Sequence, residues 1–406
     1  MSATRWTRYL AQAFQLIKAR RFKMLWEKGS RLVRPTGPWI TQQALLDACA
    51  EVAQIVCILD GAQGGGASLA ADQSALHWRD RGYATFRLGA NPMGQLTAAL
   101  HLPESMTPRL TGRLHDWPVM PAVTMRLEVH SLAGFLEPAA LAARVAAFSQ
   151  QGIALVVYWH DHFMACPTRH LLDKTHRYCG LPEVEACAAC LPHNKNCLEA
   201  SLRQSSLTEW RDQWGAVLSE AQEIRVFSPS SSKMLAHIWP DCVTKVVVVP
   251  HTVAALPSLP IATDPEAELH VGVIGHIGRH KGSHQVAALA QYIAQHALPA
   301  RITVFGTLEA PAPSSVVTEM GAYRPADLSR LCSASGVNVF WFPSIWPETF
   351  SFVLHEMKAM GLPILAYDVG AQADYVTGGA TEQRLPLDAG VAEILEALSV
   401  LKAGAT

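Results

Sequence analysis

The chain has 406 residues, half of them apolar, and a formal net charge of −1; that length suggests two or three domains, each able to bury an ordinary core, and makes a globular enzyme the default expectation. The near-neutral charge argues against a nucleic-acid partner, and the chain contains no run of roughly 18 apolar residues that would span a bilayer. Nine cysteines are an odd count, and with no export signal the chain is expected in a reducing cytoplasm, where a disulfide framework does not form.

Taken in chain order, residues 1–40 hold nine Lys or Arg against the single acid Glu27, a net +8 that leaves −9 for the rest. Trp6, Leu10, Phe14 and Ile17 recur at helical spacing, and Tyr9, Ala13 and Leu16 widen the stripe. That is the pattern of a basic amphipathic helix lying on an anionic membrane surface; a helix packed on its own enzyme or on a neighbouring subunit has the same pattern. A secretion signal is not expected, because the apolar residues form a stripe and no small-residue cleavage site follows.

Residues 55–59 then read as a buried strand ending in Asp60 and a glycine loop through Gly64, Gly65 and Gly66, with a helical run over 67–81 behind it. Gly65 and Gly66 allow backbone to approach a diphosphate or an acceptor closely, where a side chain would prevent it; a plain tight turn is the alternative. Apolar runs at 123–127, 153–158, 224–227 and 245–249 alternate with helical stretches at 138–151 and 207–221. Such alternation predicts a mostly parallel sheet covered on both faces. His160 follows the strand-like residues 156–159, a place where a lone histidine is often structural.

Next comes a Cys-rich insert over 166–197, in which Cys166, Cys179, Cys187 and Cys190 fall within 25 residues, with His193 and Cys197 close behind. The four cysteines are candidate ligands for a structural zinc ion, which would order a loop with few apolar residues. Reduced cysteines in a packed loop, or a redox pair at Cys187 and Cys190, remain open. Residues 254–268, rich in Pro, Ala and acids, read as a linker, and a second alternating series runs from His270 through 301–306 to a last helix over 391–402. The expected organisation is an arm over 1–40, a Rossmann-like domain over 41–253, the linker, and a second Rossmann-like domain over 269–406. The fold class is therefore α/β, with two doubly wound domains facing a cleft and ligands at the carboxyl ends of the strands.

Within the second series, the strand-like run 337–343 leads through a turn containing Ser344, Trp346 and Pro347 into a helix, with Glu348 in the turn and Glu356 about two turns into the helix. A helix mouth offers free N–H groups and a positive dipole end to an anion. Glu356 is then placed to accept hydroxyl hydrogen bonds on one side of a bound phosphate, while Glu348 meets a polar group on the other. The spacing suits a sugar nucleotide. Two glutamates eight apart also occur on solvated helices, but such a helix does not need the frame of strand, turn, helix, Gly361-Leu362-Pro363 and a second strand ending in Asp368.

These features combine with Gly64-Gly65-Gly66, His160-Asp161, Ser228-Pro229-Ser230, Val249-Pro250-His251, Gly275 with Lys281-Gly282, Gly321-Ala322-Tyr323, Pro343-Ser344 and Gly370-Ala371. In order and spacing they resemble the retaining glycosyltransferases of family 4, which have the two-domain GT-B fold, over about residues 50–400. The resemblance implies that Lys281 reaches the donor's diphosphate beside the Gly275 loop and that Glu356 binds the ribose. It also implies that Glu348 lies near the transferred sugar with the amides of Thr349, Phe350 and Ser351, and that His160 contacts that sugar. An arginine usual shortly after Gly275 is His276 here, so either Arg279 supplies the charge from the same loop or donor affinity is lower and pH-dependent. A solvent-facing turn residue is the alternative for Arg279. Asp374 stands where Glu is more usual.

No metal is then required for catalysis, because a fixed ammonium and helix-end amides meet the charge that builds on the leaving diphosphate. The implied activity is transfer from a nucleoside diphosphate sugar to an acceptor hydroxyl with retention, on a glycan or lipid-linked acceptor. The basic arm would place it on the inner face of the membrane. A non-catalytic nucleotide- or carbohydrate-binding partner in a polysaccharide assembly complex is the alternative, prompted by His276. A synthase acting in solution on the same core is disfavoured by the arm.

Overall fold

The computed structural model describes residues 37–61, 64–91, 94–253, 261 and 266–404. The basic arm expected over 1–40 lies outside the described residues except for its last four positions, as does most of the linker expected over 254–268. Among the described residues, no helix is long and apolar enough to cross a membrane. The chain divides into two compact units. One runs to Arg169 and takes in Leu181–Phe227 and Ser232–Val249; the other comprises His170–Gly180, Ser228–Ser231 and the chain from Pro250.

In chain order the first series is α1 (Gln42–Cys49), β1 (Ile55–Asp60), α2 (Gly66–Arg79), β2 (Ala84–Ala90), β3 (Leu96–His101), β4 (Leu110–Arg113) and β5 (Thr124–Ser131). It continues through α3 (Leu141–Ser149), β6 (Ala154–Tyr158), α4 (Val184–Cys190), α5 (Leu207–Glu220), β7 (Glu223–Val226), α6 (Pro229–Ile238) and β8 (Val246–Val248). The eight strands lie in the order β4-β3-β2-β1-β5-β6-β7-β8. All neighbours are parallel except β2–β3 and β3–β4, which form an antiparallel meander at one edge. Every residue of β1 is buried, as a strand covered on both faces requires. The strand order reverses between β1 and β5. A ligand crevice is expected at such a switch point, beyond the strands' carboxyl ends, and the glycine loop follows β1 there.

The second series is β9 (Leu269–Ile277), α7 (Ser283–Gln295), β10 (Ala300–Leu308), β11 (Val317–Glu319), α8 (Leu328–Ser335) and β12 (Val339–Phe342). It ends with α9 (Phe352–Ala359), β13 (Ile364–Tyr367), α10 (Gly370–Tyr375), β14 (Glu382–Leu385) and α11 (Val391–Ala403). Six parallel strands take the order β11-β10-β9-β12-β13-β14, the doubly wound dinucleotide-fold order, with its switch point between β9 and β12. Alternation along β9 feeds two cores. Val271 and Val273 pack with Val286, Leu289 and Leu398 on one face, and Ile274 packs with Phe340, Leu354 and Met357 on the other.

His170–Gly180, Ser228–Ser231 and residues 250–253, all expected in the first domain, fall in the second unit. The segment His170–Gly180, read from sequence as part of the insert in the first domain, belongs to the second unit, where Leu172 enters the core beside β9. It forms a small hairpin bridged at Leu172 and Tyr178, and its turn is held by Asp173, whose carboxylate accepts from the amides of Thr175 and Arg177.

Candidate functional site

In the second unit the site is built at the carboxyl ends of β9 and β12. After β9 the chain makes a short turn of helix over Arg279–Lys281, and Gly282 sits at φ +84 with no room for a side chain. A Cβ there would lie 2.0 Å from the carbonyl oxygen of Pro343, so glycine is what lets the Lys281 loop seat against the end of β12. Lys281 Nζ comes 3.3 Å from Oε1 of Glu348, and the Ser344 hydroxyl donates to the same oxygen at 2.8 Å. The Glu348 side chain is 5% exposed against 35% for Lys281, so the ammonium faces outward from a buried carboxylate that orients it.

The turn between β12 and α9 is clamped from behind by Gln372, a fully buried residue of α10. Its Nε2 donates to the carbonyls of Ser344 and Trp346, and its Oε1 accepts from the amide of Glu348. The amide of Ala371 adds a bond to the Glu348 carbonyl at 2.7 Å. Gly370 approaches so closely that a Cβ would lie 2.4 Å from the Cα of Pro347. Sequence reasoning passed over Gln372, whose only signal was a long polar residue beside Gly370-Ala371.

Helix α9 starts at Phe352, with Ser351 as N-cap accepting from the amide of Leu354 at 3.2 Å. Thr349 and Ser351 are buried, so what this turn can offer a ligand is backbone rather than hydroxyls. Because the helix begins this late, Glu356 is its fifth residue, little more than one turn in and not the two expected. Its Oε2 is buried without a hydrogen-bond partner. The carboxyl lines a small cavity with Pro325, Leu328, Ser329, Ala359 and Met360. Burial raises its pKa to about 6, and burial together with its nearby charge raises those of Tyr323 and Cys332 as well. An orphaned carboxylate oxygen is costly and is relieved by a hydroxyl donor.

The remaining expected residues are placed as follows. Gly275, at φ +112, lies two residues before the end of β9, and Gly306 of β10 packs so close that a Cβ on it would lie 2.0 Å from the Gly275 carbonyl. Arg279 is half-buried, and its amide is fixed by Glu309 at 3.0 Å. His276 is exposed, and its Nδ1 is 2.5 Å from the Thr307 hydroxyl. Phe350 stacks on His355. Asp374 accepts from the amide of Ser230 at 2.8 Å. In the first unit, Gly65 has φ +83 and would meet nothing with an added Cβ, so its glycine answers to backbone angle and not to crowding. Gly66 opens α2, and His160 follows β6 with its Nε2 3.1 Å from Nδ1 of His130.

The zinc expectation for Cys166, Cys179, Cys187 and Cys190 finds no support among the described residues. Among the described residues no group of three or more His, Cys, Asp or Glu side chains is arranged to hold a metal ion. Cys179 falls in the second unit and the other three in the first. Cys166 is buried, accepts from the Thr168 hydroxyl at 3.3 Å and has its pKa pushed up to about 11 by burial. The Cys190 sulfur accepts from Asn194 at 3.3 Å.

No family model and no curated protein matches the chain. Among solved structures, sucrose-phosphate synthase from Thermosynechococcus elongatus is similar at a TM-score of 0.51 and 14% identity, over 87% of this chain and 93% of that one. Anabaena Alr3699/HepE in complex with UDP matches at a TM-score of 0.49 and 13% identity, with the same two coverages. At such identity the first likeness speaks for the fold alone, and it agrees with the expected class: two doubly wound, Rossmann-like α/β domains.

Proposed function

We propose that the chain is a glycosyltransferase that takes a sugar from a nucleoside diphosphate donor and passes it to an acceptor hydroxyl with retention. The observation that carries this reading is the buried, unpartnered Oε2 of Glu356, one turn behind a helix mouth that also presents Lys281. A ribose hydroxyl would satisfy the carboxylate, and the diphosphate would then meet the ammonium and the first amides of α9. Negative charge grows on the diphosphate as the glycosyl bond breaks, so these fixed donors stabilise the transition state more than the ground state. Glu348 holds Lys281 in place, and Gln372 holds Glu348. Likeness to the fold of a protein named as a sucrose-phosphate synthase is consistent with this reading.

The acceptor is assigned to the glycine loop at the first unit's own switch point, and the net +8 of residues 1–40 favours a lipid-linked or surface glycan at an anionic membrane. A second reading, a binding partner without turnover, is favoured by His276 at the place of the expected arginine. The two are separated by incubating the full chain with UDP-, GDP- and ADP-sugars and measuring free nucleotide in the presence of glycan and lipid-linked acceptors. Steady release with one donor supports the enzyme. Saturable binding without release supports the partner, and neither binding nor release with any donor refutes both.

A further inference from the structure

We propose that His170 is a positioning residue for Lys281: its ring braces the ring of His280 and so fixes the loop that aims the ammonium. The loop has little to hold it from within. Between β9 and α7 it is one short turn of helix over Arg279–Lys281, closed by the Lys281 amide on the Gly278 carbonyl and the Gly282 amide on the Arg279 carbonyl, both at 3.0 Å; so short a turn is barely stable alone. The Lys281 side chain is 35% exposed on a flexible stem, so its contact with Glu348 does not fix the backbone beneath it. Beyond the close seat of Gly282 against Pro343, the loop is tied down at His280. Its carbonyl accepts from the amide of Ile345 at 3.1 Å, and its ring lies flat on that of His170, with centroids 4.1 Å apart and planes 3° from parallel. Trp346 meets both rings nearly at right angles, 4.7 Å from His170 and 5.9 Å from His280.

His170 itself is held from the core and not from the loop. Leu171 and Leu172, which follow it, are both buried, whereas an extended strand would send them to opposite faces. Leu171 stands at φ +55, a left-handed conformation unusual for leucine, and the chain turns there. Leu172 belongs to the same buried cluster as Val271, Val286 and Trp346, and Tyr178, bridged to it across the hairpin, packs against that cluster. The hairpin is closed by the Cys179 amide on the Leu171 carbonyl at 2.9 Å and the Asp173 amide on the Arg177 carbonyl at 2.8 Å. His170–Gly180 and the Lys281 loop lie in one unit, so the hairpin presents to the loop a ring whose backbone that unit's own core holds in place.

A stacked aromatic pair adds enough beyond its buried area to shift a local opening equilibrium about two- to tenfold. Loss of the His170 ring therefore leaves the fold standing but lets the loop open more often, with Lys281 out of place for that fraction of the time. The catalytic consequence rests on the proposed function: a donor aimed at developing charge has to be fixed in advance, so a looser loop lowers turnover more than donor affinity. The brace does not rest on it.

The test is hydrogen exchange on the full chain without nucleotide, followed at the amides of Lys281, Gly282 and Ile345 and, for the hairpin, at those of Asp173 and Cys179. In His170→Ala the three loop amides should exchange about two- to tenfold faster, and His170→Phe, which keeps a flat ring, should restore the parent rates. His280→Ala removes the other half of the stack and should release the same three amides; the double variant should exchange no faster than the faster single one, because the two rings make one contact. Unchanged loop amides in His170→Ala, no rescue in His170→Phe, or effects that multiply in the double variant overturn the proposal. Should His170→Ala also release Asp173 and Cys179, the hairpin has opened and His280→Ala decides: loop amides released with the hairpin protected support the brace, and unchanged loop amides overturn it. In the nucleotide-release assay His170→Ala should lower kcat several-fold and leave the donor KM within about twofold. A parent-level kcat with the loop amides released overturns the assignment to Lys281. A chain that shows the exchange pattern but releases nucleotide from no donor refutes the proposed function and leaves the brace standing.

Discussion

Glu356 carries the strongest signal at the scale of single residues, because its stability and ligand effects should oppose each other. Its folded pKa, about 6, lies above the unfolded value of 4.5, so between these values the native state holds the proton more tightly and stability falls as pH rises through the window. Above pH 6 the deficit is complete. The shift corresponds to about 2 kcal/mol, reduced to about 1 kcal/mol because the group is partly exposed to solvent. Glu356→Gln is therefore expected to melt about 2 °C higher than the parent at pH 8 and no higher at pH 4.5, while binding nucleotide more weakly. A variant that loses stability at pH 8 would contradict the orphaned carboxylate. Lys281→Ala should retain the fold and lower turnover by about 10² to 10³, the usual cost of removing one donor aimed at developing charge, measurable as kcat in the nucleotide-release assay. His276→Arg tests the reading that a fixed positive charge at this position aids donor binding; donor affinity by calorimetry should rise about tenfold.

The decisive part of the architecture, at the scale of elements, is the pair α9 and α10 with the turn they enclose. Gln372 makes three hydrogen bonds to that turn from a fully buried position, so Gln372→Leu should cost about 2–4 kcal/mol in denaturant unfolding and loosen Glu348. Ser344 and Glu348 of the turn, and Glu356 of the helix behind it, were singled out in the sequence because strand, turn and helix each have a local period and the polar residues interrupt it. The clamp was not legible, since it is a contact across 24 positions made by one unremarkable glutamine. Helix length was misread for a related reason: Ser351 caps α9, and a serine between two phenylalanines does not announce an N-cap. For the cysteines, spacing indicated proximity, whereas chain direction after Arg169 sends Cys179 with the second unit and the others with the first.

For the whole molecule, two parallel-rich sheets each reverse strand order beside a glycine loop, between β1 and β5 and between β9 and β12. Alternating strands and helices foretold this class, because fully buried strands such as Ile55–Asp60 need helices on both faces. The antiparallel meander β3–β4 and the hairpin around Leu172 were not foretold, since short edge strands and turns depend on contacts that no local pattern records. The proposed function requires the second domain to grip a nucleoside diphosphate at the mouth of α9. Crystals of the full chain soaked with UDP, GDP and ADP test it most directly. The predicted result is density for one nucleotide with its ribose on Glu356 and its diphosphate between Lys281 and the amides of residues 349–352. Density for a nucleotide elsewhere, or none with any of the three while Glu356 stays unpaired, would contradict it.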